Sequence, residues 1–279
     1  MDWGVSMWLN KLRNYKKITP EEYQRYEAVK SMETINGRRF GKINHYNQYP
    51  EAVKHYLSLF PNNHICLHDM KIKSDLHLIN EEFYSLIHNA ETKEQDILRF
   101  INHDPQAYHI VGSIFNAISF RFTKQGFGHH EAYLFPEFWL GDDYRADYLL
   151  AGKGSGGFEF IFVEFEKPNG RVTLKDGHLG QVIRSGENQI GDWKCWLDAN
   201  FYKLKDFFDL EKQEGAVLPK EFYNYDSSRF HYVVVGGTRE DYTAETYRIR
   251  RTKEHERVIM LHYDNLYDAS EELLERNTF

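Results

Sequence analysis

The hydrophobic pattern is densest in Phe160-Ile-Phe-Val-Glu164-Phe-Glu166-Lys167-Pro168, where Phe162, Val163 and Phe165 are apolar whichever way the chain alternates. A strand of that kind is buried on both faces. Upstream, Tyr144-Arg-Ala-Asp147-Tyr-Leu-Leu reads as a second apolar strand, and Gly152-Lys-Gly-Ser-Gly156-Gly157 reads as the turn that joins the two. Each strand carries acids that its pattern does not call for. Side chains alternate along a strand, so Glu164 and Glu166 share a face, roughly 6.7 Å apart.

The rest of the chain alternates between helical and strand patterns. Residues 1 to about 35 look helical, with Thr19-Pro20-Glu21-Glu22 as a helix start that places Pro at the first turn. Asn36-Gly37 is a turn signal followed by a short strand, and a helix from Tyr49-Pro50 is expected to run to about Phe60. From Glu91 a helix places Ile97, Leu98 and Ile101 on one face, and the apolar stretch 107–122 belongs to the core. Residues 129–140 suggest a strand and turn leading into the hairpin. After a polar loop, 169–180, come a long helix over 181–200, a buried strand at Phe230–Val235 and a basic helix over 240–251. A last strand, 258–262, leads to a C-terminal helix that Asp264 is placed to cap. This order predicts an α/β fold, a mixed sheet flanked by helices, with an N-terminal α-rich domain over 1–88 and the sheet domain over 89–279.

Composition narrows the classes. The 279 residues carry a net charge of −7, so any nucleic-acid site must be a local basic patch. Residues 1–45 hold nine Lys and Arg against five Asp and Glu, which suits either a solvated helical surface or a DNA-facing arm. The two cysteines, Cys66 and Cys195, have no CxxC or Cys/His spacing, which argues against a disulfide framework and a structural zinc. Cys195, between Trp193 and Trp196, is expected to be a buried small residue. No apolar run approaches the length of a membrane span, and a cytoplasmic protein is expected.

Acidic residues on a doubly buried strand need a partner. If the hairpin brings Asp147 alongside Glu164 and Glu166, three carboxylates converge, and a hard divalent cation such as Mg²⁺ suits that donor set, with Mn²⁺ as a substitute. An acid on one strand, E-x-E on the next, and Gln189 on the following helix is the layout of a metal-dependent phosphodiesterase core. The competing reading places Glu164 and Glu166 at a sheet edge, paired with surface Arg or Lys. His129-His130-Glu131 does not make a zinc site, because adjacent histidines in a strand face opposite ways. Arg248, Arg250, Arg251 and Lys253 either face phosphate or form a solvated helix surface.

The runs Ile97-Leu-Arg-Phe-Ile-Asn-His-Asp-Pro105, Tyr144–Leu150, Val163–Pro168, Asn188-Gln189-Ile-Gly-Asp-Trp193 and Val258–Leu266 resemble the nuclease domain of the Shedu anti-phage defence proteins, members of the PD-(D/E)XK superfamily. The resemblance covers roughly residues 90–270. It implies a restriction-endonuclease-like fold and a metal-dependent DNA endonuclease of a bacterial defence system, acting as a homo-oligomer on phage or plasmid DNA. By position it assigns Asp147 and Glu164 to the metal, Gln189 to the helix motif, and Glu94 to the upstream helical acid that completes such sites. Two departures matter. Ala146 stands where the superfamily name has Pro, and Glu166 occupies the usual Lys of E-x-K, with Lys167 following it. Glu166 then binds metal or acts as base, and Lys167, Arg248 and Arg251 are the candidate DNA contacts. The alternative is a degenerate nuclease fold used for DNA binding or assembly. An RNA-directed nuclease is a third reading, since nothing in the sequence reads a 2′-hydroxyl.

Overall fold

The computed structural model describes residues 14–32, 34–35, 38–39, 49–56, 58–122 and 126–279. Helix α1 (Pro20–Met32) starts as its sequence predicts. The Glu22 carboxylate accepts the Thr19 N–H at 2.9 Å, and Thr19 Oγ1 accepts the Glu22 N–H at 3.3 Å. That reciprocal pair is a capping box, with Pro20 just inside it. Strands β1 (Thr34–Ile35) and β2 (Arg38–Arg39) pair antiparallel, while the Asn36-Gly37 turn between them lies outside the described residues.

Helix α2 (Pro50–Tyr56) is shorter than the expected run to Phe60. Phe60 lies in a turn instead and drives its ring edge-on into Tyr133 and Phe135, with centroids 5.2 Å from each. Then come α3 (Leu67–Lys73), α4 (Leu76–Ile87), α5 (Glu94–His103), α6 (Tyr108–Gly112) and α7 (Ile114–Phe122). Helix α5 begins at Glu94 rather than Glu91 because Asp96 Oδ2 accepts the Lys93 N–H at 3.0 Å and fixes the N-terminus there.

The second half of the chain builds the sheet: β3 (Glu131–Leu140), β4 (Tyr144–Gly154), β5 (Gly157–Phe165), β6 (Phe230–Val235) and β7 (Val258–Leu261), in that spatial order. The first three strands are antiparallel, and β5, β6 and β7 run parallel. The hairpin turn is narrower than the Gly152–Gly157 run, since only Ser155 and Gly156 separate the strands. Helix α8 (Gln181–Asn200) and α9 (Leu204–Glu211) cross from β5 to β6, and α10 (Ala244–Glu254) crosses from β6 to β7. Helix α10 starts later than expected because Thr243 Oγ1 accepts the Thr246 N–H, so Glu240 falls in the preceding 3₁₀ turn. The chain closes with α11 (Tyr263–Leu274), whose N-cap is His262, not Asp264. The Asp264 carboxylate accepts the Arg239 N–H at 2.7 Å, which commits it to a neighbouring turn.

The sheet is mixed and flanked by helices, as in a restriction-endonuclease-like fold. Ile161, Val163, Phe165, Val233 and Ile259 pack one face against α4 to α7 and α11. Phe160, Phe162, Tyr232, Val234 and Met260 pack the other against α8 and α9. The first core also takes in Ile65, Leu67, Met70, Leu76, Phe83 and Ile87. One local feature breaks the alternation. Pro136 pairs with Tyr148 and Phe138 with Ala146, so the register does not slip. Yet Phe135 and Phe138 enter the same core, and so do Ala146 and Leu149. Both strands change face between those pairs, where Glu137 takes a left-handed φ of 49°. Asp147 lies on β4 at that change of face.

Phe162 is fully buried, with ring centroids of Phe138 and Tyr232 at 5.8 and 5.9 Å. Phe162→Ala is expected to destabilise the protein by about 3–5 kcal/mol. Urea unfolding followed by circular dichroism measures it; a loss under ~1 kcal/mol would mean that this cluster is not the packed centre described.

Candidate metal centre at the strand ends

The carboxyl ends of β5 and β6 are knitted together beyond the ladder itself. The Glu166 N–H donates to Val235 O at 2.7 Å, Gly236 N–H to Leu261 O at 3.0 Å, and Gly237 N–H to Lys167 O at 3.0 Å. Tyr263 N–H returns to Gly237 O at 3.0 Å, and its buried hydroxyl donates to Glu166 O at 2.6 Å. These bonds fix the backbone that carries Glu164 and Glu166 where the parallel strands end. Ligands of open α/β sheets bind at such ends.

Two further elements bring in the remaining groups. Asp147 reaches across from β4, and its Oδ2 accepts the Phe165 N–H at 2.7 Å. Gln189, two turns into α8, donates its Nε2 to Glu164 Oε1 at 2.5 Å. Helix α8 gets this close because of Gly186. A Cβ there would lie 2.9 Å from Val234 Cγ1, 3.2 Å from Glu166 Oε1 and 3.3 Å from Glu164 Cγ.

Glu164 and Glu166 are 7 % and 8 % exposed, and each keeps one buried oxygen, Glu164 Oε2 and Glu166 Oε1, without a hydrogen-bond partner. Burial is the main cause of the electrostatic result, and mutual repulsion adds to it. Burial and then the charges of Asp147 and Glu166 push the Glu164 carboxyl up to about 9. Burial and then Glu94 push Glu166 up to about 7. Burial raises Asp147 to about 7 against the pull of the Phe165 N–H, and Glu94 adds to the rise. Glu94, the first residue of α5, is itself raised by burial, with Lys167 opposing.

The structure therefore brings Asp147, Glu164, Glu166, Gln189 and Glu94 into one neighbourhood, with Lys167 near enough for its charge to act on Glu94 and Glu166. Among the described residues no group of three or more His, Cys, Asp or Glu side chains is placed so that it could hold a metal ion by itself. Mg²⁺ does not need one, because it is commonly held by one or two carboxylates, with waters and substrate phosphate completing its shell. Two partnerless buried oxygens on adjacent carboxylates suit such an ion.

The basic helix does not converge on the acids. Arg248 is committed to Glu245, Lys253 to Glu187, and Arg250 is buried; Arg251 is exposed. Cys195 is exposed rather than buried, because Trp193 and Trp196 fill the inward face of α8 and leave it on the outer side. His129 and His130 pack ring to ring at 4.2 Å. Three contributors escaped sequence reasoning: Gly186, Tyr263 and Asn169. Only Gly186 left a signal, as a glycine inside a long helical pattern, which marks a close approach.

Residues 91–267 match the family model described as Shedu protein SduA, C-terminal. No curated protein matches the chain.

A carboxyl group raised on folding binds its proton more tightly in the native state, so stability falls as pH rises from the unfolded to the folded value. Between pH about 4.5 and about 9, the range spanned by Glu164, the wild type should lose stability. Glu164→Gln should flatten that slope and melt higher than wild type at the alkaline end. Thermal melts across this range are the check; parallel pH profiles for the two proteins would contradict the strained acid cluster.

Proposed function

The chain belongs to the Shedu family of anti-phage defence proteins, and on that footing we propose that it is a Mg²⁺-dependent DNA endonuclease that hydrolyses phosphodiester bonds. The observation that carries this reading is the pair of buried, partnerless carboxylate oxygens on Glu164 and Glu166, beside Asp147. Protein chemistry leaves such a cluster only for protons or for a cation.

Asp147 and Glu164 would hold the ion, with Mn²⁺ able to replace it. When bound, it supplies neutralisation of the charge that develops on the phosphodiester and a lowered pKa for the attacking water. The chain's own groups do the rest. Gln189 holds Glu164 Oε1 and so sets the orientation of that carboxylate. Glu166, raised to about 7, is matched to accept a proton from the attacking water near neutral pH. Glu94 completes the anionic surround from the head of α5. Lys167 contributes positive charge at the mouth of the site, in a family position that ordinarily carries it one residue earlier. The competing reading, a degenerate nuclease fold that only binds DNA, draws on the same replacement of Lys by Glu166.

Purified protein incubated with supercoiled and linear DNA should degrade or nick it with Mg²⁺ or Mn²⁺ and not with EDTA. Glu164→Ala should reduce the rate by about 1,000-fold, the equivalent of ~4 kcal/mol of transition-state stabilisation. Retention of wild-type cleavage by Glu164→Ala would remove the site assignment. Calorimetric titration separates the two readings. Divalent-ion binding that weakens as pH falls below about 7 favours the enzyme, because the ion must displace protons. No binding at any pH favours the degenerate module.

A further inference from the structure

The acid cluster raises a problem that its own residues do not solve. Glu94, Asp147, Glu164 and Glu166 repel a polyanion, and the chain as a whole carries −7. DNA must therefore be held by cations placed beside the acids and not already spent on other carboxylates. Most basic side chains nearby are spent: Arg145 on Glu137, Arg248 on Glu245, Arg239 on Asp268 and Lys253 on Glu187.

Four are not. Lys93, Lys167, Arg171 and Arg184 are exposed, and among the described residues none of these side chains forms an ion pair. Backbone geometry gathers them along one margin of the site. The loop after β5 is stapled to the turn before α5 by Asn169, whose Nδ2 lies 3.0, 3.2 and 3.3 Å from the carbonyl oxygens of Asn89, Ala90 and Thr92. That staple keeps Lys167 beside Lys93 and Glu94. Farther along, the Gly180 N–H donates to Val172 O at 2.8 Å. Gly170 faces Val182, where a Cβ would stand 3.0 Å from Val182 Cγ2. Arg171 is thus laid against the foot of α8, and Arg184 follows in its first turn, where it lines a surface hollow with Glu245 and Arg248 of α10. The same turn touches the acid strand, since a Cβ on Gly236 would meet Ile183 Cδ1 at 3.0 Å and Glu166 Cβ at 3.2 Å.

We propose that Lys93, Lys167, Arg171 and Arg184 form a ledge that grips the phosphate backbone of duplex DNA beside the acid cluster. The proposal rests on the nuclease reading for its substrate. Duplex is favoured over single-stranded DNA because residues 167–184 contain no Phe, Tyr or Trp on which bases could stack. Contacts from Lys and Arg to phosphate position a duplex without reading its sequence, so the grip is sequence-neutral.

Fluorescence anisotropy with a labelled mixed-sequence DNA duplex, in EDTA so that nothing is cut, tests the ledge on the full chain. Arg171→Ala/Arg184→Ala is the diagnostic variant, because both side chains are exposed and neither acts on the acids. It should melt like wild type and bind at least tenfold more weakly. The slope of log affinity against log salt should become shallower by about 1.8, or ~0.9 for each lost phosphate contact. Unchanged affinity and slope in the double variant would overturn the ledge, as would wild type failing to bind the duplex, or preferring single strands or an RNA duplex. Binding does not depend on cleavage. A protein that holds DNA through the ledge and never cuts it sinks the nuclease reading alone, and normal binding and cleavage by the double variant sink the ledge alone.

Discussion

Carboxylates buried at the end of a doubly covered strand are the constraint around which this molecule is arranged. Their burial raises Glu164 to about 9 and both Asp147 and Glu166 to about 7. Hydrogen bonds from the Phe165 N–H, the Gln189 amide and the Gly186 backbone act against the rise, and so do two exposed cations, Arg145 on Asp147 and Lys167 on Glu166. Each neighbouring detail manages that conflict. The Phe165 N–H occupies one oxygen of Asp147, and Gln189 occupies one of Glu164. Gly186 lets α8 close over the pair without a side chain in the way. What remains unmet is one oxygen on each of Glu164 and Glu166, on the same face of the chain. A structural cluster would be expected to finish the pairing with an Arg, since a buried charge left alone is costly. The incomplete pairing is what supports the proposed reading of a site for a cation that comes and goes.

The fold positions this conflict through two devices of different range. The long-range one is the sheet, whose two faces carry separate cores, so that β5 is apolar from Phe160 to Val163 and again at Phe165, with Glu164 the acid that breaks the run. The short-range one is the change of face shared by β3 and β4 at Glu137 and Asp147. A strand that kept its alternation would commit position 147 to one core or the other. Leaving the alternation at that point, with Glu137 in a left-handed conformation, releases Asp147 from both cores so that it can meet the Phe165 N–H. Left-handed backbone at a non-glycine residue costs of order 1 kcal/mol and persists only when its surroundings enforce it.

Much of this was legible in the sequence. The strand content of Phe160–Phe165, Phe230–Val235 and Val258–Leu261 follows from runs too apolar for one-faced elements, and the hairpin follows from its glycines. Asp147, Glu164 and Glu166 announced themselves as acids in places that hydrophobic pattern does not permit. What failed was local chemistry decided by neighbours remote in sequence. Asp264 looks like a helix cap, but Arg239, 25 residues earlier, claims its carboxylate. Cys195 looks buried between two tryptophans until the helix is built, when a 100° step per residue puts it outside. Glu94 carries no signal of its own, since an acid at a helix start is ordinarily a dipole effect. Its place beside the strand acids depends on Asn169, 75 residues later, and family resemblance alone pointed to it.

Glu166 shows how the same pattern can be kept while its charge is rearranged. In E-x-K the strand face presents one anion and one cation, so the site is locally balanced before substrate arrives. Here the face presents two anions, and the cation has moved to Lys167. Alternation within a strand would aim Lys167 away from the acids. The chain has left β5 by then, however: Phe165 is the last strand residue, and Lys167 is held by its own carbonyl to Gly237. Its side chain is exposed and its charge still acts on Glu94 and Glu166. The positive charge has thus moved from the floor of the site to its rim. On the proposed reading, a cation on the floor would act on the scissile phosphate directly, whereas one on the rim, with Lys93, Arg171 and Arg184, would act first on the backbone of an approaching strand. The floor would then be left to a divalent ion, and recruitment of DNA would pass to the loop and helix edge around it.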